Sequence, residues 1–503
     1  MKKKLAIIGI DSLDPEVILK YRNKLPTFSR LIDDSPLFVS HSVFPVDTIP
    51  AWATIFTGLH PSNHGLLYVY DIFDPNLSDL SKVNFQVLKG NTFWDYVGNE
   101  KYKVNIIFPL MIYPSWEVNG IMVCTSPFEK RDNWLQTEVD ADCFPSGIFN
   151  KYGIKNKFQK LWGGFPGYNQ LDTWAELGKN FLAHEIDLSK KISKNEDWNL
   201  FFTYFSELDT IQHRLWRFYD DNDPLYEKSP IGLKVFDYYK IIDDYLADFI
   251  KQFPDSDLII LSDHGHKIRP FKTFNINEYL REVQLIPESG FIKKMEIKIK
   301  NILLDIITDF DLEEAVVKLI IKMPSLAKGS KAMYSSSFAF DKDHSLAYLS
   351  NFAGIKSYSF GGIELNKSMI KENDYNSFCD TIIASLSSLK TPDKRSLFQW
   401  ISKREDFFPG KFSKKIYPDI VFELQEDYGT GWDIYTNRFG RSKDHKIASG
   451  GHSKNGVFLI KSEKNDYIVR DSVHLTDVAP SILDLFEIEK PGEKFDGRSI
   501  FHK

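Results

Sequence analysis

The stretch Leu5-Ala6-Ile7-Ile8-Gly9-Ile10-Asp11 indicates the fold class, because a short apolar run ends abruptly at a carboxylate. Such a run is typical of a strand buried on both faces of a parallel sheet. It is too short for the apolar segment of a secretory signal, and no small-residue cleavage site follows it. We therefore expect a first β-strand and a cytoplasmic protein.

Further short apolar runs recur along the chain with helical segments between them. From Val235 to Ile250, apolar residues repeat at the spacing of one face of an amphipathic helix. This alternation predicts an α/β fold, with a mostly parallel sheet and helices on both of its faces. The other predicted strands are Val104–Phe108, Leu200–Phe205, Leu258–Leu261 and Val457–Ile460.

Residues 281–335 break this rhythm and read as a helical insertion or cap between two parts of a catalytic core, residues 1–280 and 336–503. We expect the insertion to pack on the core through an apolar stripe, and a lid over the active site is a refinement of that expectation. Contact of its lysine-rich start with a membrane surface is the alternative. The stripe consists of Ile299, Ile302, Leu303, Ile306, Ile307 and Phe310, and the lysines are Lys293, Lys294, Lys298 and Lys300.

Composition excludes several classes of protein. The 503 residues are 43% apolar and 26% charged with a formal charge of -6, so no basic face for nucleic acid is indicated. Three scattered cysteines are too few for a disulfide framework or a cysteine-rich zinc site. No stretch approaches the 18 or so apolar residues that a membrane span needs. The oligomeric state cannot be read from the sequence.

Three aspartates and three histidines lie near the ends of predicted strands, where open α/β sheets bind their ligands. Asp209 and His213 are four residues apart, on one face of a helix. Each residue alone is more often a helix cap, a turn residue or a packed histidine. A buried carboxylate–imidazole cluster, however, is costly without a cation, and its ligand types suit zinc, Mn²⁺ or Fe²⁺. The set is Asp11, Asp209, His213, Asp263, His264 and His452.

Thr48 is the candidate nucleophile near such a cluster. Pro50 is favoured in the first turn of a helix, so Thr48 is expected at or near the helix N-terminus. A phosphate group could bind there, at the positive end of the helix dipole. Local sequence leaves open whether the hydroxyl of Thr48 attacks a substrate or only caps the helix.

Together these motifs resemble the type I phosphodiesterase/nucleotide pyrophosphatase branch of the alkaline phosphatase superfamily, and especially its predicted prokaryotic phosphohydrolase/phosphomutase proteins. They occur in the family's order and span nearly the whole chain. They are Ile8-Gly9-Ile10-Asp11, Thr48-Ile49-Pro50 through His64-Gly65, Glu207 through His213, Ser262-Asp263-His264-Gly265, Ser449-Gly450-Gly451-His452, and Thr476-Asp477-Val478-Ala479-Pro480 through Asp496-Gly497.

The resemblance implies an alkaline-phosphatase-like fold and two divalent metal ions, zinc by expectation with manganese as an alternative. It assigns Asp209, His213 and His452 to one metal, and Asp11, Asp263, His264 and Thr48 to the other. It also implies that Thr48 attacks phosphorus and that water hydrolyses the resulting phosphothreonine. Asn76 is a weak candidate for a contact to the substrate and is equally a candidate turn residue.

These features predict a hydrolase of small phosphodiesters, nucleotide pyrophosphates or phosphonates. The segment Thr48-Ile49-Pro50-Ala51-Trp52 lacks the Cys or Ser and the Arg of sulfatases, which argues against sulfate esters. A phosphoryl transferase or mutase that uses the same site is the first alternative. A binding protein that keeps the fold without turnover is the second.

Overall fold

The computed structural model describes residues 3–34, 37–67, 85–131, 135–161, 166–310, 340–353, 357–462, 472–489 and 495–501, with Leu312 and Ala315. The strands among them are β1 (Leu5–Ile10), β2 (Leu37–His41), β3 (Val104–Ile107), β4 (Gly120–Arg131), β5 (Gln136–Phe144), β6 (Lys157–Leu161), β7 (Leu200–Phe205), β8 (Asp257–Leu261), β9 (Gly265–Ile268), β10 (Lys272–Asn275), β11 (Ala347–Leu349), β12 (Phe360–Leu365), β13 (Phe398–Lys403), β14 (Ile420–Leu424), β15 (Tyr428–Gly431), β16 (Phe439–Arg441), β17 (Gly450–Ser453), β18 (Asn455–Lys461) and β19 (Ser472–His474).

The α-helices among the described residues are α1 (Pro15–Lys20), α2 (Pro26–Asp34), α3 (Thr48–Thr57), α4 (Pro61–His64), α5 (Phe93–Asn99), α6 (Ile148–Tyr152), α7 (Leu171–Asn195), α8 (Glu207–Tyr219), α9 (Leu233–Gln252), α10 (Ile276–Glu282), α11 (Phe291–Asp309), α12 (Tyr375–Ser387), α13 (Arg404–Phe407), α14 (Ser413–Ile416) and α15 (Val478–Leu485). None of the helices in the described ranges has the length and hydropathy needed to cross a bilayer.

The chain divides into two compact units. The first comprises Met1–Tyr68, Leu80–Ile268 and Ala448–Lys503, and the second comprises Val69–Asp79 and Arg269–Ile447. These bounds differ from the predicted ones, which assigned residues 336–447 to the core. The physical reason is that β10 to β16 form sheets of their own, over a separate apolar cluster.

The first unit is built on a large sheet in the order β19-β2-β18-β8-β1-β7-β3-β4-β5-β6. Its centre, from β8 to β4, is parallel, and β18 runs antiparallel to β8. The predicted mostly parallel α/β fold is thereby confirmed. Gly9 of β1 is in register with both Tyr204 of β7 and Leu261 of β8. The carboxyl ends of these three strands are therefore level, which brings together the residues that follow them.

Both faces of this sheet are covered by helices, as the sequence predicted. Along β1, Leu5 and Ile7 join one apolar cluster, while Ala6, Ile8 and Ile10 join the other. Helices α3, α5 and α15 contribute to the first cluster, and α2, α7, α8 and α9 contribute to the second. Each fully buried aliphatic side chain contributes about 1.5–3 kcal/mol relative to an exposed one.

A glycine in β1 lets helix α3 approach the sheet closely. A Cβ atom at Gly9 would lie 2.4 Å from the Cη2 atom of Trp52, so no larger residue fits there without displacing the indole. The Trp52 ring also packs edge-on against Tyr204, with 4.8 Å between the ring centroids. These contacts hold the helix that begins at Thr48 against the carboxyl end of β1.

The second unit contains the antiparallel sheet β11-β12-β14-β13 and the smaller sheet β15-β10-β16. Helix α11 packs in this unit through Ile297 and Leu304, and its Asn301 side chain donates a 3.1 Å hydrogen bond to the Ile434 carbonyl. The predicted packing stripe of this helix was wrong for most of its members. Helical spacing marks two apolar faces here, and hydrogen bonding by Asn301 selects the other one. The exposed members are Ile299, Ile302, Leu303, Ile306 and Phe310.

Candidate active site

The site lies at the carboxyl end of the central parallel strands in the first unit. Asp11 directly follows β1, and the pair Asp263-His264 follows β8. Asp209 lies in the first turn of α8, just after β7, with His213 one turn further along the helix. His452 comes from the ribbon in which β17 pairs antiparallel with β9. All six predicted ligand residues are thus brought together.

His264 lies at the centre of one group, which we call the carboxylate group: Asp11, Asp263 and His264. Its Nε2 atom is 3.5 Å from Asp11 Oδ1 and 3.2 Å from Asp263 Oδ2. The hydroxyl of Thr48 lies 3.2 Å from the same nitrogen. These three ligand residues have side-chain exposures of 3% or less, so their charges are shielded from water.

The second group, which we call the imidazole group, comprises Asp209, His213 and His452. Asp209 Oδ1 lies 3.3 Å from His213 Nε2 and 3.6 Å from His452 Nε2. The two Nε2 atoms are 2.9 Å apart. His452 also stacks on His264, with 3.9 Å between the ring centroids, so the two groups adjoin.

Backbone carbonyls determine the tautomer of each histidine in the site. The Nδ1 atom of His213 lies 2.8 Å from the carbonyl oxygen of Gly450, and that of His452 lies 2.9 Å from the carbonyl oxygen of Val46. The Nδ1 atom of His264 lies 3.0 Å from the carbonyl oxygen of Gly265. A carbonyl oxygen only accepts, so each Nδ1 carries a hydrogen and donates it. The neutral rings therefore direct the lone pairs of all three Nε2 atoms into the site, as metal-binding histidines do.

The carboxylates follow the same rule. Asp11 Oδ2 accepts a hydrogen bond from the Tyr204 hydroxyl, and Asp263 Oδ1 accepts one of 3.3 Å from the Ser12 amide. The opposite oxygens, together with Asp209 Oδ1, are buried without a hydrogen-bond donor among the described residues. A buried acceptor with no donor is costly, and cations bound at the two groups would satisfy these oxygens.

The electrostatics differ between the two groups. Burial, together with the charges of Asp263 and Asp209, raises the pKa of Asp11 well above its ordinary value. Burial also raises the pKa of Asp263 to about 6. Burial alone would raise the pKa of Asp209 as well, but His213, His452 and His264 outweigh it and lower that pKa well below its ordinary value.

Thr48 is the first residue of α3, and Asp47 is the residue that caps the helix. The interpretation of Thr48 as a mere cap is therefore wrong, and its hydroxyl instead contacts His264. The amides of Thr48 and Ile49 precede the first intrahelical hydrogen bond, from Ala51 N to the Asp47 carbonyl. They lie at the positive end of the helix dipole, where an anionic group binds favourably.

The C-terminal motif fixes the far end of this helix. The carboxylate of Asp496 accepts hydrogen bonds from the His60 amide at 2.6 Å and from the Asn63 side chain at 2.9 Å. Asp477 accepts from the Arg498 amide at 2.7 Å, which ties the segment around Asp496 to the start of α15. His64 bonds to Thr54 of α3 at 3.1 Å. These residues hold α3 in position and take no part in the ligand cluster.

Several supporting residues were not found from the sequence. Tyr204 lies inside an apolar strand, and only its register with Gly9 places it beside Asp11. Ser12 follows Asp11 with a φ of 60°, and its hydroxyl lies 2.8 Å from His266 Nδ1. Asp14 accepts a 3.0 Å hydrogen bond from the His266 amide. Asn76, the weak candidate for substrate contact, lies outside the described residues.

Comparisons with known proteins identify the family. A model of the family "Type I phosphodiesterase / nucleotide pyrophosphatase" matches residues 5–446, a stretch that ends before His452. Comparison with curated proteins gave no match. Among similar solved structures, murine ectonucleotide pyrophosphatase/phosphodiesterase 5, an inactive form in complex with AMP, is 13% identical over 97% of this chain and 96% of its own, with a TM-score of 0.49.

Two further structures have similar values. The human ectonucleotide pyrophosphatase/phosphodiesterase 5 is 15% identical over 97% of this chain and 96% of its own, with a TM-score of 0.48. Phosphonoacetate hydrolase from Sinorhizobium meliloti, in complex with phosphonoformate, is 12% identical over 96% of this chain and 95% of its own, with a TM-score of 0.49. By the family match, the chain belongs to the type I phosphodiesterase/nucleotide pyrophosphatase family and is a hydrolase of phosphate ester bonds.

Proposed function

We propose that the protein cleaves small phosphodiesters, nucleotide pyrophosphates or phosphonates at a two-metal site, with Thr48 as the nucleophile. One observation carries this proposal. Each of the three histidines donates a hydrogen bond to the backbone through Nδ1, and its Nε2 atom faces the cluster. Asp11 and Asp263 likewise each accept a hydrogen bond with one carboxylate oxygen, and the other oxygen faces the cluster. Side chains prepared in this way form a ligand set, since a purely structural cluster would pair its inner atoms with donors.

The family is metal-dependent, and the donor set of this chain fits that property. Two Nε2 lone pairs 2.9 Å apart repel each other unless a cation or a proton lies between them. We assign one ion to the imidazole group and the other to the carboxylate group with Thr48. Mixed aspartate and histidine ligands favour zinc, with manganese as the alternative. When bound, such ions would neutralise phosphate charge and lower the pKa of a coordinated hydroxyl.

Thr48 performs the covalent step in this proposal. Its oxygen forms a bond to phosphorus, and the bond from phosphorus to the leaving atom breaks, which is oxygen in an ester or pyrophosphate and carbon in a phosphonate. The hydroxyl proton passes to solvent, and the leaving atom takes a proton from solvent. The amides of Thr48 and Ile49 bind and orient the phosphoryl oxygens at the start of α3. A water molecule then attacks the phosphorylated threonine, and Thr48 regains its proton as the ester is released.

The family match does not choose among diesters, pyrophosphates and phosphonates. A transferase or mutase that passes the phosphoryl group to another acceptor would use the same residues, and a binding protein without turnover would need only the metals. A small-molecule phosphate ester as the substrate fits the family. The cytoplasmic location stays a prediction.

Metal analysis and hydrolysis assays test this proposal together. We expect close to two metal ions per chain and a preference for a nitrophenyl diester over a nitrophenyl monoester. Thr48→Val keeps the shape of the side chain but removes the nucleophile, and should lower kcat by roughly 10³-fold or more. Thr48→Ser keeps a hydroxyl and is the matched control, with at least about one tenth of the activity expected.

An acid-quenched reaction should also carry the phosphoryl group on residue 48, detectable by mass spectrometry of the peptide. Full activity of Thr48→Val would refute the nucleophile. Bound metal without turnover on any ester, with Thr48 intact, would support the binding protein instead. Product formation only in the presence of an alcohol acceptor would support the transferase.

A further inference from the structure

Helix α11 presents a continuous apolar face to solvent. With 3.6 residues per turn, its exposed apolar side chains fall on one arc of roughly 100° that runs the length of the helix. Phe291 at the start is 79% exposed, Ile302 in the middle is 58% exposed, and Phe310 just past the end is 71% exposed. We call this the apolar face of α11, and its members are Phe291, Ile292, Met295, Ile299, Ile302, Leu303, Ile306 and Phe310.

The opposite side of the helix is firmly attached to the second unit. In addition to Ile297, Leu304 and the hydrogen bond of Asn301, the Lys446 ammonium donates a 3.3 Å hydrogen bond to the Thr308 carbonyl. The apolar face therefore does not result from a helix without packing partners. A contiguous exposed apolar surface on an attached helix indicates an interaction site.

The charges around this face are not balanced. The acids near the end of the helix are already paired, Asp305 with Lys443 at 3.5 Å and Asp309 with Arg441. By contrast, Lys293 and Lys298 are exposed, and neither has an ion-pair partner within the described ranges. The start of α11, from Phe291 to Lys300, carries four lysines against one acid, Glu296. By helix geometry, Lys298 and Lys294 lie along one edge of the apolar face, with Lys294 paired to Glu288, whereas Lys293 lies on the other side of the helix.

We propose that the apolar face of α11 binds the surface of an anionic lipid bilayer. The face consists of hydrocarbon, phenyl and thioether groups, and the carboxylate at its edge, Asp309, is paired with Arg441, so the face matches the acyl region just below the headgroups. The lysines at its border would contact anionic headgroups, as basic residues do in interfacial helices. This inference is independent of the catalytic proposal, because no residue of the candidate active site takes part in it.

The same charges disfavour a second copy of the chain as the occupant. In a symmetric pair of α11 helices, Lys298 of one copy would need an acid on the other, and Asp305 and Asp309 are already neutralised within their own chain. Protein interfaces are also enriched in Tyr, Trp and Arg at their centres, and this face has none. A lipid surface satisfies both conditions.

Co-sedimentation of the full-length protein with vesicles tests the proposal. We expect at least tenfold tighter binding when one third of the phosphatidylcholine is replaced by phosphatidylglycerol, and weaker binding at high salt. The double variant Ile302→Ser/Ile306→Ser should bind at least tenfold more weakly. Leu233→Ser, a change of an equally exposed apolar residue on α9, should leave binding unchanged. Lys298→Gln, which removes the unpaired lysine at the edge of the face, should reduce the difference between the two vesicle types.

A fluorescent label reports directly on the position of the face. The native cysteines at 124, 143 and 379 are buried, so Ile302→Cys provides a selective attachment point for an environment-sensitive dye. Its emission should shift to the blue when phosphatidylglycerol vesicles are added. A cysteine at 302 that reacts only after denaturation would overturn the proposal. Equal binding of wild type and the isoleucine variant would do the same, as would a dimer that this variant dissociates without any vesicle binding.

Discussion

The imidazole group and the carboxylate group adjoin each other, yet the pKa values of their aspartates are shifted in opposite directions. Asp209 is surrounded by three imidazoles, which lower its pKa well below the ordinary value. Asp11 and Asp263 each lie near another carboxylate, and their pKa values are raised. Without metal, protons on the imidazoles would balance the charge of Asp209 in the first group, whereas the two carboxylates of the second group lie together and need protons of their own or a cation.

The difference begins with the elements that supply the ligands. Asp11 and Asp263 directly follow neighbouring parallel strands, and level strand ends bring two like charges together. Asp209 and His213 share one turn of α8, so an acid and a potential cation are placed side by side by helix geometry alone. Strand ends thus bring two carboxylates together, and the helix places a carboxylate beside an imidazole that can carry a proton.

Removing one ligand residue from either group should have the largest effect, and it tests whether the two groups hold separate ions. Asp263→Asn is expected to lose the ion of the carboxylate group, and His452→Gln the ion of the imidazole group. Each variant should retain close to one metal ion per chain and lose activity by roughly 10²- to 10³-fold, because a two-metal site stabilises both the attacking and the leaving oxygen. Elemental analysis with parallel assays checks this. Loss of both ions in either variant would contradict separate sites.

In the metal-free chain, the matched substitutions Asp263→Asn and Asp209→Asn should change the free energy of unfolding in opposite directions. The folded pKa of Asp263 is about 6, above its unfolded value, so its contribution to the free energy of unfolding falls as pH rises and is unfavourable at pH 7. Asp263→Asn should then raise the free energy of unfolding by about 2 kcal/mol. Asp209 has a lowered pKa, so its contribution is favourable at pH 7, and Asp209→Asn should lower the free energy of unfolding.

Urea unfolding in the presence of chelator measures both variants under one condition. Shifts of the same sign would mean that the two groups do not differ in their internal balance.

Loss of the Tyr204 hydroxyl should weaken the carboxylate group without disturbing the imidazole group. Burial and Asp11 keep the pKa of Tyr204 well above its ordinary value, so its hydroxyl remains a donor to Asp11. Tyr204→Phe should lower the affinity for one of the two ions by about 10- to 100-fold. Tyr245→Phe removes another buried hydroxyl and is the matched control, with less than about twofold change expected. Equal effects of both variants on metal titrations would show a nonspecific packing defect.

Acidification should give the smallest effect. Below pH 6, a proton on Asp263 competes with the cation, so the affinity of the carboxylate group should fall about tenfold per pH unit for each proton displaced. Metal titration of the His452→Gln variant isolates this group. Adding Asp209→Asn should move the onset to lower pH, because the charge of Asp209 is one cause of the raised pKa of Asp263. An unchanged onset would show that the two groups do not influence each other.

Much of this site could be predicted from the sequence because its residues lie at positions that local patterns mark. Strands β1 and β7 have the bounds predicted from their apolar runs, and a polar residue right after such a run is visible without a structure. The spacing of Asp209 and His213 indicates a shared helix face. These signals depend on periods of two to four residues, which the sequence displays directly.

The supporting contacts could not be predicted, because they depend on register and burial. Nothing local distinguishes Tyr204 from its apolar neighbours in β7, and its role follows only from its register with β1. The prediction of the buried face of helix α11 was wrong for a related reason. Its sequence has apolar residues on two faces, and periodicity does not tell which of them is buried. The second sheet system was missed because its strands carry no motif that drew attention to residues 336–447.

The backbone carbonyls that fix the three histidine tautomers have a consequence for how the site tolerates mutation. Every amino acid carries a carbonyl, so replacing Val46 by another residue leaves the acceptor of His452 in place as long as the chain keeps its path. The position of the proton on each ring is thus determined by the path of the main chain and not by any partner side chain. Val46 can therefore change its side chain while the lone pair of His452 stays in place, whereas Gly450 and Gly265 cannot, since a Cβ atom there would lie 2.2 Å from His266 Nε2 and 2.1 Å from the Asn455 carbonyl oxygen.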